Sequence, residues 1–312
     1  HEFGHYFAAK YHGVDATLPY FIPVPPLFMP FGTAGAVIRT RTAIMSRKAL
    51  FDIGVSGPLA GFVVCIVFLA IGFMTLPPQE FLLNVHPEYR QFGGAIPDYG
   101  LHFGGTLLYG FFERVFANPN GWLPPMNEMY HYPYLCVGWF GLFVTSMNLL
   151  PIGQLDGGHI AHAMFSYGQA RIGRIVWWGI ALLGLGSVLS YVHSRIMFDS
   201  PDSLYMFFQS LLLPPLNALH SIAPSYYQAW SGWALWALIL RFLIRIEHPY
   251  VDDDEPLDTK RMAVGFLAAL VLVVSFCPAG IFDVERTEQN AVPKSIPRKS
   301  GEMTHNHSAV RP

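Results

Sequence analysis

The chain has 312 residues, of which 52% are hydrophobic and only 13% are charged, whereas an average soluble domain has about 25% charged residues. This composition predicts a membrane protein and argues against a water-soluble globule. The net charge of -2 and the lack of a basic stripe with interleaved aromatic residues exclude nucleic acid as a partner. The cysteines lie in apolar runs without paired spacing, which predicts buried packing residues rather than disulfides or a thiolate metal site; they are Cys65, Cys136 and Cys277.

The first five residues, HEFGH, are the first pattern with chemical content. On a helix, His1 and His5 lie one turn apart on the same face, where both imidazoles can bind one Zn²⁺, and Glu2 lies beside the metal as a general base. The alternative is a polar helix end with two solvated histidines. Because residue 1 is already a ligand and the preceding helical turn is not in the sequence, we expect the chain as written to bind zinc weakly and be inactive, and a longer parent to be active.

Residues 11–50 follow this helix and are rich in Pro and Gly, with short β-branched pieces between them. Such a composition predicts a loop with a small β-hairpin or a re-entrant segment rather than a helix. Within it, residues 34–40 offer a strand edge on which an unwound substrate could add as a further strand. The alternative is a membrane-surface loop that packs against the helices.

Long runs without charged residues predict transmembrane helices, because a bilayer core of about 30 Å requires about 20 apolar residues in helical form. The first two runs are 53–79 and 132–155. The loop 80–131 between them is polar, and its apolar stretch at 101–117 is typical of an interfacial helix. Further helices are predicted at 175–192, 227–240 and 262–282, with a short or re-entrant piece at 203–224.

A tetrahedral zinc bound by two imidazoles and a water lacks one ligand. Asp156 follows the run 132–155 and is the best candidate, because an ionisable residue in a membrane span indicates function by default. The Pro and Gly residues around it favour a broken helix that turns the carboxylate toward the metal. The alternative is an N-cap role for Asp156 on the helix that follows.

Other polar residues near Asp156 are open to a similar choice. Asn148 lies two helical turns earlier, roughly on the same face, and its amide could hydrogen-bond the oxyanion or the substrate backbone; an ordinary interhelical hydrogen bond is the alternative. His159 and His162 are interpreted as structural, because the tetrahedral ligand set is already complete. The acidic run 252–255 stands next to basic residues and is interpreted as a solvated loop.

Three motifs in order, HEFGH at 1–5, SGPLAGF at 56–62 and NLLPIGQLDGG at 148–158, resemble those of the site-2 protease family of intramembrane zinc metalloproteases. The resemblance is closest to the bacterial and plastid members that lack a PDZ domain. Residues 77–131 are too few, and too apolar at 101–117, to form such a domain between the predicted helices. It implies cleavage of a peptide bond in or near the transmembrane helix of a substrate protein, in regulated proteolysis that often follows a first cut by another, site-1-type protease. It also implies Zn²⁺ as cofactor, with metal ligands His1, His5 and Asp156 and catalytic base Glu2.

The expected fold is an all-α polytopic membrane protein, a transmembrane helix bundle with a small β-hairpin or re-entrant segment after the HEFGH helix. Residues 1–160 form the catalytic membrane core, 161–282 add further transmembrane helices, and 283–312 form a polar, disordered tail. The Lys and Arg residues of the loops place the active site on the cytoplasmic side of the lipid bilayer, and we expect a bacterial inner membrane. Two alternatives stay open: a polytopic transporter that relays ions through Asp156, and a catalytically inactive scaffold of the same family.

Overall fold

A computed structural model describes residues 1–23, 33–39, 41, 46–116, 121–197, 202–227, 229–248, 255–284 and 286. Within these residues the protein is predominantly helical, with two small antiparallel sheets. The helices are α1 (Glu2–Tyr11), α2 (Arg47–Met74), α3 (Gln79–Val85), α4 (Leu107–Phe116), α5 (Pro133–Asn148), α6 (Asp156–Phe165), α7 (Gly168–Ile196), α8 (Ser203–Ile222), α9 (Pro224–Tyr227), α10 (Gly232–Ile239) and α11 (Thr259–Ser275). The strands are β1 (Tyr20–Pro23), β2 (Thr33–Val37), β3 (Gly100–Phe103) and β4 (Ile281–Val284); 3₁₀ turns cover Pro87–Phe92 and Met129–His131, and a π turn, Leu240–Ile244, extends α10.

The hairpin expected after the first helix is confirmed, because β1 and β2 pair antiparallel with Phe21 opposite Ala36. The second sheet was not predicted: β3 pairs antiparallel with β4, so that the all-α class holds only for the helical bulk. This pairing also corrects the tail, since Asp283 and Val284 are strand residues rather than disordered. A four-residue strand with a distant partner has no local signal that separates it from a polar tail. Residues 287–312 lie outside the described part of the chain.

Helix α2 begins six residues before the predicted run 53–79. Charged residues occupy its first turns because they have partners there: Arg47, for example, donates a hydrogen bond to the carbonyl of Ala163 at 2.7 Å. The helix ends at Met74 instead of 79, since Pro77 and the proline after it bias the preceding residues away from the helical region. The charge-free run therefore predicted a span that begins and ends about five residues too late.

The predicted run 132–155 is a helix followed by a break, as the Pro and Gly pattern indicated. Helix α5 ends at Asn148, residues 149–155 form turns, and α6 begins at Asp156. Gly153 adopts a φ of 53°, a left-handed conformation that glycine adopts at little cost, and its N–H donates to the carbonyl of Ile246 at 2.9 Å. The break thus places Asp156 at the start of a new helix.

The later helices differ from the sequence predictions mainly at their ends. Helix α7 contains the predicted run 175–192. Helix α8 is one continuous helix of 20 residues rather than a short interrupted piece, and it includes both Pro214 and Pro215. The predicted helix 227–240 begins later and forms a 13-residue apolar helix, Gly232–Ile244, when its π turn is included. The predicted span 262–282 ends already at Ser275, since Pro278 follows and the chain then enters β4.

Most of the largest fully buried side chains belong to α2, α5 and α10. Leu69, Leu135, Trp139 and Trp233 are completely inaccessible to solvent. The indole N–H of Trp139 donates to the carbonyl of Gly104 at 2.8 Å, so that this buried donor is satisfied. The cysteines are free, and two are buried and one half-buried, which confirms their packing role: Cys65, Cys277 and Cys136, respectively.

Two helices of the described chain, α2 and α7, are long and apolar enough to cross a membrane. Only 33% of the most apolar window of α2 and 17% of that of α7 are buried inside the protein. A core helix of a soluble protein would be mostly buried, whereas each of these two helices leaves a series of apolar side chains exposed. The exposed side chains of α7 include Ile175, Trp178, Leu182, Leu185 and Val188.

Candidate metal centre

Two imidazoles and one carboxylate meet where α1 and the start of α6 cross α2. The Nε2 atoms of His1 and His5 are 3.1 Å apart. One oxygen of Asp156 lies 3.2 Å from Nε2 of His1, and the other lies 3.4 Å from Nε2 of His5. The structure therefore brings together the three residues that the sequence proposed as metal ligands, although they come from opposite ends of the first 160 residues.

The orientation of His5 is set by α2, which packs closely against α1. Nδ1 of His5 lies 2.7 Å from the carbonyl oxygen of Ile53 and donates its hydrogen to it. This bond leaves the lone pair of Nε2 directed at the centre, as a metal-ligating histidine requires. The imidazole also lies directly over Gly57, where a Cβ atom would be 2.1 Å from Nε2 of His5. The SGPLAG segment thus provides the space that the first ligand pair occupies.

Asp156 is the first residue of α6, and Leu155 holds the N-cap position without a side-chain cap. Both carboxylate oxygens of Asp156 instead face the imidazoles. The alternative of two solvated histidines also disagrees with the exposure of their side chains, which is 21% for His1 and 13% for His5. Both histidines are therefore shielded within the fold.

Glu2 and Asn148 complete the polar groups around the centre. An oxygen of the Glu2 carboxylate lies 3.9 Å from Nε2 of His1, and its side chain is 26% exposed. The amide nitrogen of Asn148 is 3.5 Å from the same nitrogen of His1. The expectation that Asn148 and Asp156 share a face of one helix is wrong, because the break at 149–155 separates α5 from α6. Both residues nevertheless line the same cleft.

This cleft has a volume of about 540 Å³ and is open to solvent. It is lined by the three candidate ligands, by Glu2 and Asn148, and by residues of α2 and of the segment around β2; these last include Ile53, Gly54, Ala36 and Ile38. Water can therefore reach the centre, and an extended peptide could lie between the β2 segment and the candidate ligands. Both are needed for hydrolysis of a peptide bond.

His159 and His162, which follow Asp156 on α6, contact a third histidine, His248. The sequence predicts a structural role for His159 and His162. Nδ1 of His159 is 2.7 Å from Nε2 of His248, and the rings of His162 and His248 are stacked at 4.4 Å. Burial lowers the pKa values of His159 and His162 to about 4, so both rings are neutral near pH 7. Sequence reasoning missed His248, because it lies 89 residues from His159 in a loop without a motif.

The donor set fits a zinc ion. Zinc in catalytic sites binds three protein ligands from histidines and carboxylates and keeps a fourth position for water or substrate. Here two imidazole nitrogens and a carboxylate lie mutually within 4.8 Å, with Glu2 and the open cleft on the remaining side. The hydrogen bond from His5 to Ile53 is the outer contact that orients a zinc ligand.

The chain is similar to plant proteins over its N-terminal part. It is 30% identical over 192 residues to the probable zinc metalloprotease EGY2, chloroplastic, of Oryza sativa subsp. indica, and 28% identical over 192 residues to its Arabidopsis thaliana counterpart; each alignment covers 62% of this chain and 31% of the relative. It is 31% identical over 165 residues to the probable zinc metalloprotease EGY1, chloroplastic, of Arabidopsis thaliana, covering 53% and 27%. The chain thus spans less than one third of the length of these relatives. No solved structure matches it.

The relatives bear on two of the sequence expectations. Their chloroplast location gives no support to the bacterial inner membrane, whereas their names agree with zinc as the cofactor. The model of peptidase family M50, whose members are zinc-dependent membrane proteins, matches residues 1–185. That match covers the HEFGH motif, the glycine segment of α2 and Asp156, which the fold brings together. The chain accordingly belongs to peptidase family M50.

Proposed function

We propose that this chain is the catalytic part of a zinc endopeptidase that cleaves a peptide bond in or near the transmembrane helix of a substrate protein. The observation that carries the proposal is the convergence of His1, His5 and Asp156 beside Glu2 in a cleft open to water. Membership of family M50 supports the peptidase activity, and the exposed apolar helices support its location in a lipid bilayer.

The residues of the cleft divide the work of hydrolysis. Zinc bound by His1, His5 and Asp156 supplies Lewis-acid activation of the scissile carbonyl and of the attacking water. The Glu2 carboxylate accepts the proton of that water and returns it to the nitrogen of the leaving amine. Asn148 donates an amide hydrogen to the carbonyl oxygen of the substrate, where negative charge develops.

The proposed membrane position follows from the lengths and surfaces of the helices. At 1.5 Å per residue, α2 and α7 are about 42 and 44 Å long, more than the roughly 30 Å of a bilayer core. Helices α5 and α11 have 16 and 17 residues, or about 24 and 26 Å, and expose apolar side chains such as Val137 and Leu270. We propose that these four helices form the membrane-embedded bundle.

The proposed orientation places the zinc centre toward the cytoplasmic side. The basic start of α2 and that of α11 lie at the same end of the bundle, where Arg261 donates two hydrogen bonds to Asp52 at 2.9 and 2.6 Å. His12, at the end of α1, contacts the same carboxylate at 2.8 Å. Excess Lys and Arg mark the cytoplasmic ends of membrane helices. Lys10 follows His5 by five residues, so the metal lies about 7.5 Å from this end along α1.

We further propose that the substrate binds as an added strand. A transmembrane helix must unwind before cleavage, because its amides are hydrogen-bonded within the helix. Ala36 in β2 and Ile38 just after it line the cleft, and β2 pairs with β1 on only one of its edges in the described chain. The other edge can accept the unwound segment. The resemblance to site-2 proteases adds the proposal that another protease cuts the same substrate first.

Replacement of Glu2 by Gln tests the proposed function directly. The whole protein is reconstituted in vesicles with a tagged reporter, a single apolar helix interrupted by a Gly-Pro pair. We expect Glu2→Gln to keep its zinc and to lose cleavage by a factor of about 10² to 10⁴, the usual contribution of a general base. Glu113→Gln, an exposed carboxylate on α4, should cleave like the wild type.

Three outcomes would overturn the proposal. Cleavage by Glu2→Gln at the wild-type rate would remove Glu2 from the mechanism. An ion flux across the vesicles that requires Asp156 but not Glu2, without cleavage of the reporter, would favour the transporter alternative. Zinc-loaded wild-type protein that neither cleaves nor transports would favour the inactive scaffold.

A further inference from the structure

A second cluster of imidazoles and a carboxylate lies beyond the C-terminal end of α2, in the segment that leads to α5. It consists of His86, after α3, and of Glu128 and His131, just before α5; we name these residues the distal triad. Helix α2 contacts His5 near Gly57 and continues for 17 residues to Met74, or about 26 Å, before the chain reaches this segment. The distal triad is therefore separate from the candidate catalytic centre.

The ligand atoms of the distal triad converge on one point. The Nε2 atoms of His86 and His131 are 3.0 Å apart. Oε2 of Glu128 lies 3.4 Å from Nε2 of His131 and 3.8 Å from Nε2 of His86. These separations resemble those of the candidate catalytic centre, where the corresponding atoms are 3.1 to 3.4 Å apart.

Glu128 is the residue that most requires a partner. Its side chain is only 4% exposed. Oε1 accepts a hydrogen bond from the hydroxyl of Tyr89 at 2.7 Å, whereas Oε2 has no hydrogen-bond partner within the described residues. A buried carboxylate oxygen without a partner is costly, so an unmet acceptor in this position points to a ligand that the polypeptide does not supply.

The neighbouring residues fix the direction of the ligand atoms. Nδ1 of His86 donates to the carboxylate of Glu88 at 2.8 Å, which leaves the lone pair of its Nε2 directed into the distal triad. The ring of His86 is stacked on Tyr89 at 4.8 Å, and the Tyr89 hydroxyl holds the Glu128 carboxylate. A carboxylate behind a ligating histidine is the usual outer contact of a metal site.

A cation explains this arrangement better than a hydrogen bond between the imidazoles does. A proton on Nε2 of His131 would satisfy the contact with His86, but it would leave Oε2 of Glu128 unmet. A divalent ion between the three atoms satisfies both imidazole lone pairs and the carboxylate charge together. His86 and His131 are 25% and 21% exposed at their side chains, so water can take a fourth position.

We propose that His86, Glu128 and His131 bind a divalent transition-metal ion, with zinc fitting the donor set best, and that this metal fastens the loop after α3 to the start of α5. Two imidazoles and one carboxylate suit zinc in tetrahedral coordination. Because the ligands lie up to 45 residues apart, the metal closes a long loop and adds its binding energy to the folded state. The proposal does not depend on the peptidase function.

Metal counting on the purified whole protein, rather than on this chain alone, tests the distal triad. After chelation and titration with Zn²⁺ alone, we expect the wild type to bind two equivalents and Glu128→Gln and His131→Gln to bind one. The matched control is His193→Gln, which alters a histidine that belongs to neither metal cluster and instead contacts Asn217, His220 and Tyr227, and it should bind two. Zn²⁺ should raise the unfolding temperature of chelated wild type more than that of Glu128→Gln.

A second variant keeps the test decisive if the distal variants fail to fold. Asp156→Asn removes a ligand of the candidate catalytic centre and leaves the distal triad intact. We expect Asp156→Asn to retain one equivalent of tightly bound zinc, and the double variant Asp156→Asn with Glu128→Gln to retain none. Asp156→Asn without tightly bound zinc, or Glu128→Gln with two equivalents, would overturn the proposal and leave the distal triad as a hydrogen-bonded cluster.

Discussion

At the scale of single residues, the centre depends as much on what holds the ligands as on the ligands themselves. His5 is positioned by a hydrogen bond to the backbone of α2 and by the open space above Gly57. Asp156 is positioned by a helix start that follows a break. A ligand held in this way keeps its rotamer before the metal arrives, which lowers the cost of binding.

Gly57→Ala should therefore weaken zinc binding although it changes no ligand. Its Cβ would lie 2.1 Å from Nε2 of His5, so the imidazole must move away from the hydrogen bond to Ile53. We expect the zinc affinity of the centre to fall by about 10- to 100-fold, the usual effect of losing an outer contact. Gly179→Ala, at a helical glycine with no neighbour within 4 Å, is the control in the same competition titration and should bind zinc normally. Equal affinities would mean that Gly57 does not position His5.

The candidate metal ligands could be predicted from the sequence, but most of the residues that contact them, and the distal triad, could not. The spacing of His1 and His5 on one helix face is a local property of the sequence. Asp156 could be identified because it is an isolated charged residue after an apolar run. By contrast, His248 and the distal triad become visible only when distant segments meet. The grouping of His86 with His131 depends on how the segment before α5 folds back, which no periodicity encodes.

At the scale of elements, two interruptions of regular structure form the cleft. The break between α5 and α6 turns Asp156 inward, and the hairpin of β1 and β2 brings Ala36 to the opposite wall. The break was foreseeable from its Pro and Gly residues, and so was the hairpin. The pairing of β3 with β4 was not foreseeable, because its strands are four residues long and far apart in the chain.

Ala36→Pro should lower cleavage without loss of zinc if substrates add to the edge of β2. Proline removes a backbone N–H and distorts the strand, while the metal ligands stay in place. Ala36→Ser is the matched control, because it keeps the N–H and nearly the same volume. We expect cleavage of the reporter to fall at least tenfold for Ala36→Pro alone, with zinc content equal in both variants. Cleavage at the same rate by both variants would refute strand addition.

At the scale of the whole molecule, the low content of charged residues is explained by helices that expose apolar side chains on their outer faces. Helices α2 and α7 bury only a minor part of their most apolar windows, so their outer faces need an apolar surrounding. Ion pairs lie at the end where α2 and α11 begin, between Arg261 and Asp52, and in the segment around α3, between Arg90 and Glu80. The charge-free runs in the sequence predicted the apolar helices, but they underestimated the lengths of α7 and α8 and overestimated those of α10 with its π turn and of α11.

Cysteine labelling from the two sides of oriented vesicles tests the proposed orientation. Lys10→Cys, at the end of α1, and Gln91→Cys, in the 3₁₀ turn after α3, are both exposed. We expect a membrane-impermeant maleimide to label them from opposite sides, with Lys10→Cys on the cytoplasmic face. The wild type reports the background of its native thiols, two of which are buried. Labelling of both positions from one side would exclude a bundle that spans the bilayer between them.

The central claim is that two motifs far apart in the sequence hold one zinc ion, and the zinc content of Asp156→Asn tests it most directly. The amide of Asn keeps the shape of the side chain and removes its negative charge, so the centre loses one of three ligands. By elemental analysis of the whole protein after dialysis, we predict one equivalent of zinc fewer in Asp156→Asn than in the wild type, whereas Glu2→Gln should retain the wild-type content. Equal zinc in Asp156→Asn and in the wild type would contradict the account.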